Sequence, residues 1–221
     1  MSVARLLLYA LLPLFAGCQT LTDTPAGAAD EVRLQGQLSV EGDAWFLQPC
    51  SEPRRLRVID DDASGLADEI DAQLGDAAGL LFVDLRGQLL ADPQGGDGQL
   101  RPSRIYRLQP EGHGCADANF PRLYFRASGN EPFWSIAVGA QGLVLERPGE
   151  PPLALPYLEE QLPEGRFHLS SEANGQRLSL WLTPQRCVDD MSGAVRHLRA
   201  EVRLDGQLLT GCASYGGARS D

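Results

Sequence analysis

The sequence predicts a mainly β protein made of two small antiparallel barrel-like domains, with one helix in the first. Three observations indicate this class. Apolar and polar residues alternate over short segments such as 32–40, which is typical of half-buried strands. Gly and Pro are frequent, at 24 and 15 of 221 residues, so the strands are separated by many turns. Asn174-Gly175 and Asp205-Gly206 each lie between two alternating segments, a pattern that favours tight hairpins.

The first domain is predicted over residues 31–117. Strands are expected at 32–40, 44–47, 56–59, 80–85, 88–91 and 105–108, with Arg86-Gly87 as a turn and 92–98 as a loop. Because a closed barrel hides its edge strands, so many short strands in this length favour a small barrel.

One helix is predicted between the third and fourth of these segments. Leu66, Ile70 and Leu74 recur at intervals of four, which is a helical spacing. Asp62 or Ser64 would cap its N-terminus, where acidic residues are favourable. The run Asp60-Asp61-Asp62 is therefore interpreted as a helix start, because its spacing does not match a calcium loop.

The second domain is predicted over residues 120–217 and contains no helical periodicity. Besides the two hairpins named above, Gln141-Gly142 is predicted to join strands around Trp134–Val138 and Leu143–Leu145. This domain is expected to be wholly antiparallel.

The N-terminus predicts export. Residues 1–17 contain Arg5, an apolar run from Leu6 to Phe15 and two small residues, which together are typical of a secretion signal. The run is about ten residues, whereas a spanning helix needs roughly 20. Leu14–Cys18 resembles the bacterial lipobox, which implies that Cys18 is acylated and becomes the N-terminus. Residues 18–30 would then be a lipidated, flexible tether.

The lipobox resemblance also implies a location. Gln19 follows the cysteine, and the rule that Asp at this place retains lipoproteins at the inner membrane implies the outer membrane here. The folded part is expected to face the periplasm.

Four cysteines remain for the folded part, namely Cys50, Cys115, Cys187 and Cys212. Three pairings are possible, and an oxidising compartment favours disulfides over free thiols. Sequence distance favours Cys50 with Cys115 and Cys187 with Cys212, because a domain boundary near residues 119–121 would separate the pairs.

Charge and composition exclude several classes of function. The chain carries 19 basic residues, all Arg, and 30 acidic ones, for a net charge of −11. A nucleic-acid partner would be repelled by this charge. The sequence has no C-x-x-C, no H-E-x-x-H and no phosphate-binding glycine motif, so we expect no metal, no cofactor and no catalytic residue. Of the three histidines, His168 and His197 are expected to face solvent.

Two segments offer candidate binding residues. In the first, Glu131 precedes Pro132-Phe133-Trp134, and Trp134 has both a core and a binding interpretation, the core one being favoured by its alternation with Ile136 and Val138. The second comes directly after Cys187, where a disulfide would fix an acidic loop. Its candidate residues are Asp189, Asp190, Met191 and Ser192, although a turn needs the same residue types.

Both halves of the chain resemble known families. The order VRLQGQLSV, FLQPC, LFVDLRGQL and Cys115 resembles the OB-like barrel at the C-terminus of NlpE-type outer-membrane lipoproteins. GNEPFW and CVDDMSG, with GQLLTGCA, resemble a family of bacterial envelope lipoproteins whose C-terminal domain is similar to the META domain of HslJ. The C-x-x-C domain of NlpE has no counterpart here, so its copper role is not implied.

The sequence therefore predicts a membrane-anchored periplasmic lipoprotein that acts as a non-catalytic binding or envelope-integrity and stress module. Its expected partners are the membrane, through the lipid, and an envelope protein, peptide or glycan. One alternative is an inhibitor of a host or cell-wall lysozyme, because an acidic surface complements a basic enzyme. A second alternative is a cell-wall-directed hydrolase, which would depend on Glu131.

Overall fold

The computed structural model describes residues 31–62, 64–75, 79–112 and 114–219. This part of the chain is mainly β and contains one α-helix, α1 (Leu66–Leu74). The strands are β1 (Glu31–Glu41), β2 (Ala44–Pro49), β3 (Leu56–Val58), β4 (Gly79–Leu90), β5 (Gln99–Gln109), β6 (Leu123–Asn130), β7 (Phe133–Gly139), β8 (Gly142–Glu146), β9 (Leu153–Leu155), β10 (Leu158–Leu162), β11 (Arg166–Ala173), β12 (Gln176–Val188), β13 (Val195–Leu204) and β14 (Gln207–Tyr215). Single 3-10 turns occur at Phe120–Arg122 and Pro163–Gly165.

Strands β1 to β5 form a small barrel of the OB type. They are hydrogen-bonded in the order β3-β2-β1-β4-β5, and a parallel pairing of β3 with β5 closes the circle. The inward residues of alternating strands fill the interior, as Leu38, Leu47, Leu85 and Leu108 do with no exposed surface. The mainly β fold with one helix was predicted, and the structure confirms it.

Helix α1 begins after Gly65, which lies one residue beyond Ser64 and three beyond Asp62, the two predicted caps. The Leu66 N–H donates to the Ser64 hydroxyl over 3.1 Å, and the Ala67 N–H donates to the Asp60 carboxylate over 3.0 Å. Ser64 and Asp60 therefore satisfy first-turn donors that the helix itself leaves unpaired. Leu66 and Ile70 pack into the barrel, so α1 covers its interior.

The predicted turn at Arg86-Gly87 is wrong. β4 runs without interruption through both residues and pairs with β1 on one side and β5 on the other. The glycine serves strand packing instead, since a Cβ atom on Gly87 would lie 2.2 Å from the carbonyl oxygen of Arg101. A glycine that allows two backbones to approach closely has the same sequence signature as a turn glycine.

Strands β6 to β14 form a second, wholly antiparallel sheet. Its order is β9-β8-β7-β6-β14-β13-β12-β11-β10, so neighbours in sequence are mostly neighbours in space. The hairpins predicted at 174–175 and 205–206 are present, with Asn174 and Asp205 in the left-handed conformation that such turns require. Trp134, Phe125 and Phe167 lie in its core.

The two sheets are joined by one strand. β13 pairs with β14 over most of its length, but its first residues, Val195 and Arg196, pair with Leu108 and Arg107 of β5. As a result the two apolar cores exchange a residue. Val195 packs in the core of the first barrel, and Tyr106 of β5 packs in the core of the second sheet.

A buried polar network crosses the same junction. Asp84, 1% exposed, accepts from the Arg33 Nε over 2.7 Å and from the Gln35 amide over 2.8 Å. The Arg33 guanidinium also lies over the rings of Tyr106 and Tyr215 and donates to the Arg219 carbonyl. Because Tyr215 and Arg219 belong to the second part of the chain, Arg33 connects the two sheets, and Asp84 holds Arg33 in place.

Both favoured disulfides are present. Cys50 at the end of β2 is bonded to Cys115, which follows β5, and Cys187 of β12 is bonded to Cys212 of β14. The first closes the barrel across its ends, and the second joins two strands of the other sheet.

Candidate functional site

The outer end of the β12–β13 hairpin is fastened to the outside of β6 and β14. Three contacts hold it there. The Cys187–Cys212 disulfide is the first, and an Arg196 Nη1 donates to the Ser128 hydroxyl over 2.8 Å as the second. The third is a side-chain hydrogen bond between Asn130 and Asp189. The two segments that carry the predicted binding residues, 60 residues apart in sequence, therefore meet in space.

Asp189 organises the loop at the tip of this hairpin. One of its carboxylate oxygens accepts from the backbone N–H of Met191 (3.1 Å), from the N–H of Ser192 (2.9 Å) and from the Ser192 hydroxyl (2.9 Å). Burial acts to raise the pKa of Asp189, but these hydrogen bonds, that of Asn130 and the charge of Arg196 outweigh it, so the pKa is lowered. The ionised form is the one that holds the loop.

We expect this loop to loosen in acid. Because the folded-state pKa of Asp189 lies below the ordinary 3.8, its contribution to stability is present above pH 3.8 and is lost as the pH falls through the lower folded value. In urea unfolding, Asp189→Ala should be less stable than the wild type at pH 7, and the difference should shrink by pH 2. Asp190→Ala removes an exposed neighbouring carboxylate and is the matched control. A difference that stays constant with pH would contradict this role.

Arg196 lies beneath the fastened hairpin. Its Nη1 also approaches the Cys212 carbonyl at 3.3 Å, whereas its buried Nε has no hydrogen-bond partner. Burial lowers the pKa of Arg196, the negative charge of Asp189 raises it, and the nearby Arg126 lowers it further. The pair of Arg196 and Asp189 thus provides charge compensation under the loop.

A surface pocket of about 650 Å³ lies between the fastened hairpin and the sheet. We call it the clamp pocket. Its walls are formed by residues 128–131, 186–191, Arg199 and 210–212. Its lining includes both acidic residues, such as Glu131 and Asp190, and basic ones, namely Arg186 and Arg199.

The clamp pocket is also connected to the first barrel. The Gln73 amide of α1 donates to the Gly193 carbonyl over 2.6 Å. Arg186 forms a two-point ion pair with Glu69 of α1, at 2.7 and 2.9 Å. The hydrogen bond of Ser192 to Asp189 and these contacts from α1 hold the loop from both sides.

The six candidate binding residues differ in exposure and in the contacts of their side chains. Glu131, Asp190 and Met191 line the clamp pocket and are exposed, Met191 to 79%. Asp189 also lines it, but its carboxylate is engaged within the loop, as is the Ser192 hydroxyl. Trp134 lies in the core, which is the interpretation that its alternation with Ile136 and Val138 favoured. It is fully buried, and its Nε1 donates to the Thr210 carbonyl over 3.3 Å.

The core position of Trp134 explains the glycine of its motif. A Cβ atom on Gly129 would lie 2.4 Å from the indole nitrogen of Trp134 and 2.2 Å from the Thr210 oxygen. The sequence Gly129-Asn130-Glu131-Pro132 turns through a cis Glu131–Pro132 bond before β7 begins. The motif therefore packs the indole under the pocket rather than into it.

His168 lies on the outer face of the sheet but is largely covered there, and the solvent-facing prediction is wrong for His197. His168 stacks on Trp181 with ring centroids 3.9 Å apart, and its side chain is 16% exposed. His197 contacts the rings of Tyr106 and Tyr215 at 4.6 and 4.4 Å, and its Nδ1 lies 2.8 Å from the Tyr106 carbonyl oxygen. Alternation misplaces His197 because β12 carries a bulge between Pro184 and Cys187, opposite this part of β13.

A larger groove, of about 820 Å³, lies on the outer face of β6, β7 and β8. Four of its polar side chains are paired with one another. Arg126 forms an ion pair with Asp117 at 3.0 Å, and the Ser135 hydroxyl donates to Glu146 over 3.3 Å. No predicted binding residue lines it, so we place the candidate site in the clamp pocket.

Sequence reasoning missed Arg186, Arg199 and Thr210 of the pocket wall. Arg199 and Thr210 lie in ordinary alternating strands and carry no motif. Trp181 was missed as well, although a signal existed. Counting outward from the turn at 174–175 places His168 directly opposite Trp181 on the outer face.

Several predictions fall outside the described residues, namely the signal at 1–17, the lipidated Cys18, the tether to residue 30, and His113. Within the described residues, no three His, Cys, Asp or Glu side chains are grouped to hold a metal ion. In the same part of the chain, no helix has the length and apolarity needed to cross a membrane.

Comparisons of the chain with family models, with curated proteins and with solved structures found no match.

Proposed function

We propose that this protein is a lipid-anchored envelope lipoprotein, attached to the outer membrane and facing the periplasm, whose clamp pocket is a non-catalytic binding site. Its ligand would be an envelope peptide, protein or glycan, and the module would serve envelope integrity or stress. The observation that carries the proposal is the convergence of Glu131, Asp190 and Met191 on one pocket of about 650 Å³.

The pocket has the features of a binding site on a rigid support. Its size falls within the range of small-ligand pockets. The disulfide and the ion pairs to α1 hold its walls, so little ordering is needed when a ligand binds. Among the described residues no group resembles a catalytic set, which is why we propose binding rather than turnover.

The anchor is tested by removing the acylated thiol. We expect Cys18→Ser, which lies outside both disulfides, to move the protein from the membrane fraction to the soluble fraction, because three acyl chains are lost. Mass spectrometry of the native N-terminal peptide should show the acyl mass on Cys18. Wild-type protein found in the soluble fraction, or an unmodified Cys18, would remove the anchor from the proposal.

The pocket is tested by photo-cross-linking in living cells. A photoreactive residue replaces Met191, which is 79% exposed at the pocket, and in the control it replaces Leu80, which is 56% exposed on β4 of the first barrel. We expect one discrete adduct from position 191 that is absent from position 80 and is weakened by Glu131→Ala. The same adducts at both positions, or none, would show that the pocket is not the binding site.

A further inference from the structure

The clamp pocket continues along the outer face of the second sheet as a row of paired side chains. Strand register places Glu160, His168, Trp181, Glu201 and Thr210 opposite one another across β10 to β14. Such neighbours have Cβ atoms about 5 Å apart. Thr210 lines the pocket, and so does Arg199, whose guanidinium lies 3.6 Å from Glu201. The pocket and Trp181 thus belong to one continuous surface.

Trp181 stands in this row in a fixed orientation. One face of its indole is covered by His168, whose ring is nearly parallel at 16° and is held by Glu160 at 2.9 Å. The other face points toward β13, since His168 lies on the opposite side. With 40% of the residue exposed, the indole offers an aromatic surface that costs little ordering to use.

The side chains around Trp181 are suited to hydrogen bonding and are nearly balanced in charge. On the outer face of β10 to β13, up to the bulge in β12, the charged residues are four arginines and three glutamates: Arg166, Arg177, Arg199, Arg203, Glu160, Glu172 and Glu201. Ser170, Ser179 and Thr183 lie among them. The chain as a whole carries −11, so this face departs from the acidic character of the molecule.

We infer that the ligand of the clamp pocket is a neutral oligosaccharide, and that one of its sugar rings stacks on Trp181 while its neighbours fill the pocket. A sugar ring has apolar C–H faces, which suit the negative face of an indole, and hydroxyl groups around its edge, which suit planar arginine and glutamate side chains. This inference rests on the proposed function, because it assigns a ligand to the same site.

Charge decides between a sugar and the other ligands. The face carries four arginines against three glutamates, so it gives a basic peptide no net attraction, and an acidic glycan would be opposed by the net charge of the molecule. A neutral polyol is not repelled by either charge. Its hydroxyl groups can accept hydrogen bonds from the arginines and donate them to the glutamates. Trp181 supplies the apolar contact, and the glutamates and arginines supply direction.

The test is calorimetric titration of the full lipidated chain in phospholipid nanodiscs with two neutral tetrasaccharides, cellotetraose and fully N-acetylated chitotetraose, and with the anionic tetragalacturonate. We expect a neutral tetrasaccharide to bind, its disaccharide to bind more weakly, and the anionic tetrasaccharide to bind at least tenfold more weakly. Trp181→Ala should lower the affinity for the neutral tetrasaccharide at least tenfold and abolish its advantage over the disaccharide. Trp181→Phe should restore part of the loss, and Phe133→Ala, which removes another exposed aromatic residue, should leave the affinity within twofold.

Two results would overturn the inference: no binding of either neutral tetrasaccharide at millimolar concentration, or equal binding by Trp181→Ala and the wild type. The cross-linking experiment separates this failure from that of the proposed function. Suppose that a discrete adduct forms at position 191 and resists glycosidases while neither neutral tetrasaccharide binds in the titrations. In that case the clamp pocket is still a binding site, but its ligand is not a sugar. The absence of any adduct removes the site itself.

Discussion

Replacing Asp84 by alanine is expected to lower the free energy of unfolding by about 3–5 kcal/mol. Asp84 is 1% exposed and receives a two-point ion pair from Arg33, whose side chain is 12% exposed, together with the amide of Gln35. Removal of the carboxylate takes the two-point ion pair away from the largely buried Arg33 guanidinium. Nearby Arg107 would lose support too. Burial, Arg196 and Arg126 together lower its pKa to about 9, and the charge of Asp84 opposes that shift.

Urea unfolding at pH 7 measures this effect, and an exposed ion pair gives its control. Glu172 and Arg177 form a pair at 2.9 Å with side chains 71% and 76% exposed, so Glu172→Ala should cost no more than about 1 kcal/mol. The double variant Arg33→Met/Asp84→Leu should recover much of the loss, because it leaves no unpaired charge. A small loss for Asp84→Ala, or a double variant as unstable as the sum of the singles, would show that the buried pair does not stabilise the fold in this way.

The second large effect is expected from Trp134→Ala, at about 3–5 kcal/mol. The indole has no exposed surface, is the largest fully buried side chain, and fills the core under the clamp pocket. Its loss would leave a cavity and an unpaired Thr210 carbonyl, which accepts from the indole nitrogen. The pocket floor should deform as well.

The neighbouring aromatic residue provides the control for Trp134. Phe133 precedes it in β7, points the other way and is 50% exposed, so Phe133→Ala should change the free energy of unfolding by no more than about 0.5 kcal/mol. If the two variants lost equal free energy of unfolding, Trp134 would stabilise the core no more than an exposed aromatic residue does. An unfolding slope that also changes would indicate an altered unfolded or native state rather than a simple cavity.

The fold was largely predictable because its signals are local. Alternation set the faces of β1, β7 and β12, and the two-residue turns at 174–175 and 205–206 set hairpin register. The junction between the two sheets was not predictable, because no sequence pattern indicates that Val195 packs in the core of the first barrel or Tyr106 in the core of the second sheet. A turn at Gly87 was predicted because a local pattern cannot distinguish a turn from two strands in close contact.

The candidate site was predictable in part for the same reason. Glu131, Asp190 and Met191 lie in segments whose turn residues and cysteine drew notice, but their meeting depends on contacts such as Asn130 with Asp189 and Arg196 with Ser128. Those contacts join residues 59 or more positions apart. Trp134 and Asp189 lie in conspicuous motifs but do not serve as free binding groups. Trp134 packs in the core, and the Asp189 carboxylate accepts hydrogen bonds within its own loop.

The exchange of Val195 and Tyr106 has a consequence for how the chain is divided. A fragment ending at residue 118 would expose the leucines that Val195 covers, and the complementary fragment would lack the phenol ring that completes its interior. Each fragment would also hold half of the Arg33–Arg219 contact. The two sheets are therefore expected to unfold together as a single cooperative unit.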